Sequence, residues 1–416
     1  MSDYCKVHVV DMIMGSGKTS AALNYMNTNP YSRNYLYITP FLKEIERVKE
    51  ACPELHFIEP QQMGGRSKLR DIKNLLSKGY NVVSTHALFR KFTPEIMDIC
   101  CCNGYTLIMD EVTDVIEPFP ISADDRKILF KELVTVDKDT GIIKWREDKK
   151  DYVGEFQDIK EKCDMGCLVS YGENSNILLW LLPVECFAMF DEVYILTYLF
   201  DAQIQRYYYD YFGLKYDYRY VEGAKYSDYK FTTKPTAQKI KYDYGHLINI
   251  CDNVKLNKIG DNYYDLSKGW FKRNEDNKVV LPQLKNNIFN YFHNMVKSPV
   301  SNNIWTTFKD YKQKLSGKGY AKGFLPSNSR ATNAYKDRTC LAYCLNRFID
   351  PLIVKFFEKH DVTVSEEQYA LSEMLQFIWR SAIREGKEIN VYIPSKRMRD
   401  LLAQWIQDNP KNIEEE

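Results

Sequence analysis

The chain has 416 residues, 44% hydrophobic and 27% charged, and its 57 basic and 56 acidic side chains leave a formal net charge of +1. That length exceeds what one hydrophobic core usually supports, so two domains are expected; the balanced charge excludes a uniformly basic surface but not a local basic groove. No apolar run approaches the roughly 20 residues of a membrane span, and the N-terminus has no basic segment leading into an apolar one, so neither a membrane partner nor a secretory signal is expected.

Residues 7–20 read Val7-His8-Val9-Val10-Asp11-Met12-Ile13-Met14-Gly15-Ser16-Gly17-Lys18-Thr19-Ser20. A β-branched run enters a glycine-flanked turn, then Lys-Thr, then an alanine-rich stretch that reads as a helix. This is the strand, loop, helix order of a phosphate-binding loop. Gly15 and Gly17 let the backbone aim several N–H groups at one anion, and the helix start adds its positive dipole end. Met14 to Ser20 would cradle ATP. Lys18 would reach the β/γ-phosphates, and the Thr19 hydroxyl would join the Mg²⁺ shell. Met12 stands where the usual eight-residue pattern has its first glycine, a departure that suits nucleic-acid-dependent ATPases.

Further along, Tyr37-Ile38-Thr39-Pro40-Phe41-Leu42 and Val82-Val83-Ser84-Thr85-His86-Ala87-Leu88 each read as a short strand turning into a helix. Residues 105–112, Tyr105-Thr106-Leu107-Ile108-Met109-Asp110-Glu111-Val112, form an apolar run ending in two carboxylates, as a buried parallel strand does at the tip where α/β sheets bind ligands. Asp110 comes 92 residues after Lys18, which leaves room for about three strand–helix units. It is placed to hold the water shell of Mg²⁺, and Glu111 to polarise the water that attacks the γ-phosphorus.

These two motifs together resemble those of superfamily 2 (DExD/H-box) helicases and translocases, within them the compact bacteriophage helicases and the helicase part of viral origin-binding proteins. Met14-Gly15-Ser16-Gly17-Lys18-Thr19 and Asp110-Glu111-Val112-Thr113 carry the resemblance. It implies an α/β fold of two RecA-like parallel-sheet lobes with ATP and Mg²⁺ between them. It also implies backbone contacts to nucleic acid, DNA rather than RNA, from Thr39 and Pro40 (motif Ia) and from Thr85 and His86 (motif Ib). Hydroxyls at a strand tip make good phosphate donors. Without the resemblance both segments read as plain strand-to-helix turns.

The later motifs follow in the family's order. Val193 to Ala202 stands where motif III is expected, with Thr197 as its one aliphatic hydroxyl in place of Ser-Ala-Thr. Motif II likewise ends in Thr113 rather than Asp or His. Both departures fall on residues that couple hydrolysis to movement in the family. Asn302 to Lys309 resembles motif IV, with Thr306 toward nucleic acid, and Asn328 to Asp337 resembles motif V around Thr332. Gln376-Phe377-Ile378-Trp379-Arg380-Ser381-Ala382-Ile383-Arg384 resembles motif VI. Spacings of four place Gln376, Arg380 and Arg384 on one helix face. The resemblance implies that Gln376 orients the γ-phosphate or its attacking water, while Arg380 and Arg384 meet the charge that grows there.

The expected organisation is a first lobe over 1–210, a linker over 211–229, a second lobe over 230–410 and a disordered tail over 411–416. Within the first lobe, two β-prone runs flank Asp137-Lys138-Asp139-Thr140-Gly141, a hairpin signal at about 130–150. It reads as a decorative edge more than as a wedge with Trp145 as a stacking surface. Lys309, Lys312, Lys314, Lys318 and Lys322, interleaved with Tyr311 and Tyr320, suit either a nucleic-acid surface or a solvated face. The 11 cysteines show no paired Cys-x-x-Cys and fit buried thiols in a reducing cytoplasm, a bacterial host's if the chain is phage-encoded.

The sequence therefore reads as an ATP-dependent nucleic-acid helicase or translocase in phage-type replication or recombination, with a partner protein to load it. Two rivals stay open. One is a terminase-type packaging ATPase, for which no late acidic nuclease cluster is evident. The other is a non-catalytic binding protein that ATP merely switches.

Overall fold

A computed structural model describes residues 6–40, 42–62, 65, 67–138, 140–172, 177–236, 240–327 and 334–410. The chain divides into two compact units. The first comprises Met1–Met12, Gly17–Thr236 and Asp350–Val364, and the second Ile13–Ser16, Ala237–Ile349 and Ser365–Glu416.

The first unit is built on a seven-stranded sheet. Its strands are β1 (Val7–Asp11), β2 (Asn34–Thr39), β3 (Val82–Thr85), β4 (Tyr105–Asp110), β10 (Glu192–Thr197), β11 (Tyr216–Glu222) and β12 (Lys230–Thr232), in the order β12-β11-β1-β10-β4-β2-β3. All neighbours are parallel except β11 and β12. Val7, Val9, Val10, Leu36, Ile38, Leu107, Ile108, Val193 and Ile195 are almost fully enclosed, which is why these strands read as continuous apolar runs rather than alternating ones. Register decides what the sheet edge presents. Asp11 pairs with Thr197, and Leu196 with Asp110, so the loop after β1 and the carboxylates after β4 leave the same edge with β10 between them.

Residues 116–181 form an insertion in this unit. β5 (Ile116–Pro118), β8 (Leu168–Tyr171) and β9 (Ile177–Leu181) make an antiparallel sheet in the order β5-β9-β8, which the sequence did not suggest. The expected hairpin is present as β6 (Val134–Val136) and β7 (Ile143–Trp145), with Val134 opposite Trp145. Trp145 donates its indole N–H to the Lys149 carbonyl at 2.9 Å and packs against Tyr152 at 5.3 Å. The ring is thus engaged within the insertion.

Two expectations about organisation need correction. Residues 211–229 are not a linker: β11 lies inside the sheet, with Val7 to Val10 paired to Tyr216 to Arg219. Polar and tyrosine residues alternate along it, a period-two pattern that composition alone hides. The helix Pro351–Lys359, expected in the second lobe, belongs to the first unit. Phe356 meets Tyr171 and Tyr211 at 5.7 and 5.0 Å, and the Tyr171 hydroxyl donates to the Lys355 carbonyl at 2.7 Å.

The second unit carries a four-stranded, wholly parallel sheet. Its strands are β13 (Ile248–Ile250), β14 (Asn303–Thr306), β15 (Cys340–Tyr343) and β16 (Ile389–Tyr392), in the order β13-β16-β15-β14. Trp305, Tyr392, Tyr291, Phe271 and Leu284 belong to one enclosed cluster. The α/β class with two parallel sheets is the one expected. Among the described residues no helix is long and apolar enough to cross a membrane, and all cysteines are free thiols.

Candidate active site

The phosphate loop begins where β1 runs out of sheet. Gly15 and Gly17 take φ of +84° and +88°, a region open to glycine at no steric cost. Gly17 caps the helix α1 (Lys18–Thr28), and no side chain accepts from the helix start. The N–H groups of its first turn therefore lack an internal side-chain acceptor, the arrangement that receives anions. Ser16 Oγ is enclosed with no hydrogen-bond partner. Lys18 folds back and donates to the Met12 carbonyl. Ser20 is buried, while Met14, Thr19 and Lys18 are half-exposed.

The carboxylates sit two strands away. Burial pushes the Asp110 carboxyl up to about 7, the neighbouring Glu111 and Glu44 carboxylates push the same way, and Lys18 and Arg47 oppose them. A carboxyl so disfavoured as an anion is relieved by a divalent cation. Together with the Thr19 hydroxyl it offers hard oxygen donors of the kind Mg²⁺ takes alongside phosphate and water. Glu111 sits at φ +67°, a left-handed conformation unusual for a side chain of its size, and its N–H bonds the Leu196 carbonyl at 2.9 Å. The strand tip of β10 thus fixes the backbone of Glu111.

Asp11 is the residue that sequence reasoning passed over. Its carboxylate accepts the N–H groups of Leu199 (2.8 Å) and Phe200 (2.9 Å), and the Met12 N–H bonds the Thr197 carbonyl at 3.1 Å. Burial raises the Asp11 carboxyl against the pull of those two N–H donors and Lys18. Leu199 is itself at φ +56°. The one available sequence signal was an acid ending an otherwise apolar strand. Thr113 is tied down similarly, its N–H donating to Gln205 Oε1 at 2.8 Å.

The proposed nucleic-acid contacts fare unevenly. Thr39 and Thr306 are fully enclosed and His86 nearly so, which corrects their assignment to an exposed backbone-binding face. In each the side chain lies on the packed side of its strand or turn. The His86 ring instead bonds the Asp110 carbonyl through Nε2 at 3.0 Å, which steadies the tip of β4. Pro40 and Thr85 are half-exposed. Thr332 and most of the motif V segment, like the tail 411–416, lie outside the described residues. Tyr311 and Tyr320 are buried, against Phe271 at 4.8 Å and Trp305 at 5.3 Å, while the five lysines around them are exposed. Stacking on those two tyrosines is therefore excluded.

The motif VI residues do not share one helix face. The helix Glu366–Ile378 ends before Arg380. Ser381 Oγ donates to the Ile378 carbonyl at 2.6 Å, and the Ala382 N–H turns to the Arg338 carbonyl at 2.9 Å. Trp379 inserts between Tyr244 and Trp405, at 5.1 and 5.4 Å. Gln376 is half-buried on the helix, Arg380 is buried in the turn, and Arg384 is exposed on the following short helix.

Residues 242–406 match the family model described as the YonV C-terminal Rossmann-like domain, and residues 116–180, the insertion, match the YonV middle domain. Among solved structures, S. tokodaii Xpd4 aligns at a TM-score of 0.47 and 11% identity, over 96% of this chain and 94% of that one. S. cerevisiae Dbp5 bound to RNA and ADP BeF3 aligns at 0.41 and 9%, over 100% of this chain and 85% of that one. The SPbeta prophage-derived uncharacterized protein YonV of Bacillus subtilis (strain 168) is 42% identical over 414 residues, which are 97% of this chain and 99% of that protein. The chain belongs to the YonV family.

Proposed function

We propose that this chain is a nucleic-acid-dependent ATPase, a helicase or translocase acting on DNA in a phage setting. One observation carries the reading: the phosphate loop and the Asp110–Glu111 pair leave the same sheet edge, on strands held one apart by β10. The prophage origin of the related protein supports the phage setting.

In this reading the loop from Met14 to Ser20 holds the triphosphate, and Lys18 exchanges the Met12 carbonyl for a phosphate oxygen. Thr19 and Asp110 would hold Mg²⁺, which when bound neutralises charge on the phosphates. Glu111 accepts the proton of the attacking water, from a backbone position that the Leu196 carbonyl fixes. Gln376, Arg380 and Arg384 are the second unit's candidates to orient and offset the growing γ-phosphate charge. Pro40 and Thr85 remain candidates for nucleic-acid contact.

The test is ATP hydrolysis with and without single-stranded DNA, in the wild-type chain and in Glu111→Gln. Stimulation by DNA and a loss of about 100-fold or more in the variant are expected. A variant that hydrolyses as fast as wild type overturns the assignment.

A further inference from the structure

Gly17 has a neighbour that a phosphate loop does not need. Where a Cβ on Gly17 would stand, the Tyr229 ring is already present, with Cε2, Cδ2 and Cζ at 2.8, 2.9 and 3.0 Å. These atoms are one edge of the ring, so it meets the loop edge-on rather than through a face. Tyr229 is half-exposed.

The segment that carries it is anchored on three sides. On α1, the Asn24 amide donates to the carbonyls of Tyr226 (2.9 Å) and Tyr229 (3.0 Å). On the sheet, Phe231 pairs opposite Val221 and its ring stacks on Tyr194 at 4.9 Å with planes 11° apart. At the turn, Gly223 adopts φ +129°, and any side chain there would collide with the Asp228 carbonyl at 2.6 Å. A cavity of about 590 Å³ opens between α1 and this turn, with Asn24 and Thr28 on one wall and Ser227, Asp228, Tyr229 and Lys230 on the other. Its size falls in the range of small-molecule sites, and it offers an aromatic ring beside hydroxyl, carboxylate and ammonium groups.

We infer that Tyr229 and the turn 226–230 form the base-binding wall of a nucleoside triphosphate site, an inference that rests on the phosphate-loop reading above. A base hangs one sugar away from its phosphates. An aromatic ring whose edge touches Gly17 is therefore within reach of a base whose phosphates lie on that loop. The ring face takes the purine, and the polar groups of Ser227 and Asp228 meet its edge or the ribose. Stacking of this kind tolerates different bases because every base has a π-face.

The experiment measures equilibrium binding of Mg·ATP and of inorganic triphosphate to the full chain, in wild type, Tyr229→Ala, Tyr229→Phe and Lys18→Ala. Tyr229→Ala is expected to weaken ATP about tenfold or more while leaving inorganic triphosphate unchanged, and Tyr229→Phe to bind both like wild type. Lys18→Ala is expected to weaken both ligands. Three results overturn the inference while leaving the phosphate loop intact: ATP binding indifferent to Tyr229→Ala, equal loss of ATP and triphosphate, or tighter ATP binding. A wild-type chain that binds neither ligand overturns the phosphate-loop reading itself.

Discussion

Asp11 and Leu199 join the phosphate loop to the tip of β10: the aspartate carboxylate accepts the leucine N–H at 2.8 Å, and its second oxygen takes the N–H of Phe200 at 2.9 Å. β10 also bonds the backbone of Met12 and of Glu111. One strand end thus registers both halves of the candidate site.

Replacing Asp11 by asparagine leaves one acceptor for two N–H groups and turns an NH₂ toward the other. A loss of about 1–3 kcal/mol is expected. Urea denaturation of Asp11→Asn against wild type measures it, and an unchanged midpoint would show the pair to be idle.

Asp110 makes the chain's stability fall with pH over a defined window. Its carboxyl rises from 3.8 to about 7 on folding, so between those values the native state holds more protons than the unfolded one. Stability from this group is highest below the unfolded value, declines by up to about 1.4 kcal/mol per pH unit across the window, and is level above it. Asp110→Asn removes that slope. Denaturation at pH 5 and pH 7.5 should therefore penalise wild type more than the variant; equal losses would refute the shift.

The same carboxyl predicts proton release on ligand binding. Mg·ATP that engages Asp110 near pH 7 must displace its residual proton. Titration calorimetry in two buffers of different ionisation enthalpy should give different apparent heats, a difference that Asp110→Asn abolishes. Identical heats for wild type would place the cation elsewhere.

Glu111 sits at φ +67°, where a side chain costs about 1–2 kcal/mol that glycine does not incur. Glu111→Gly should therefore be more stable than Glu111→Ala by about 1 kcal/mol, the reverse of the usual order in extended or helical backbone. Thermal melts of the two variants decide it. Both should be inactive in hydrolysis if Glu111 is the general base.

Arg397 closes the second unit around the excursion of residues 350–364. Its guanidinium donates to Asn346 Oδ1 (2.9 Å), to the Arg347 carbonyl (2.8 Å) and to the Glu366 carbonyl (3.1 Å), and lies 4.2 Å from the Phe348 ring centre. The two sides of the departure and return are thereby pinned together. Arg397→Ala should cost about 3 kcal/mol or more, since three buried acceptors lose a charged donor. Arg397→Lys should recover only part, because an ammonium cannot reproduce the planar fork. A melt unchanged by either substitution would rule out the clamp.

What the sequence determined by itself was local. The β-branched run into Gly15-Ser16-Gly17-Lys18, the apolar run into Asp110, the Asp-Lys-Asp-Thr-Gly hairpin and the strands β14 and β16 all declare themselves, because each depends on backbone preferences and burial periodicity within about a dozen residues. Tertiary packing decided the rest. It drew tyrosine-rich β11 beside β1, returned the helix Pro351–Lys359 to the first unit, and ended the helix before Arg380 by seating Trp379 between two aromatic rings. It also turned Thr39, Thr306 and His86 inward and gave Asp11 its backbone partners 188 and 189 residues away. Those outcomes turn on which face of an element finds a partner far along the chain, a choice made by the sum of buried contacts that no local window of residues contains.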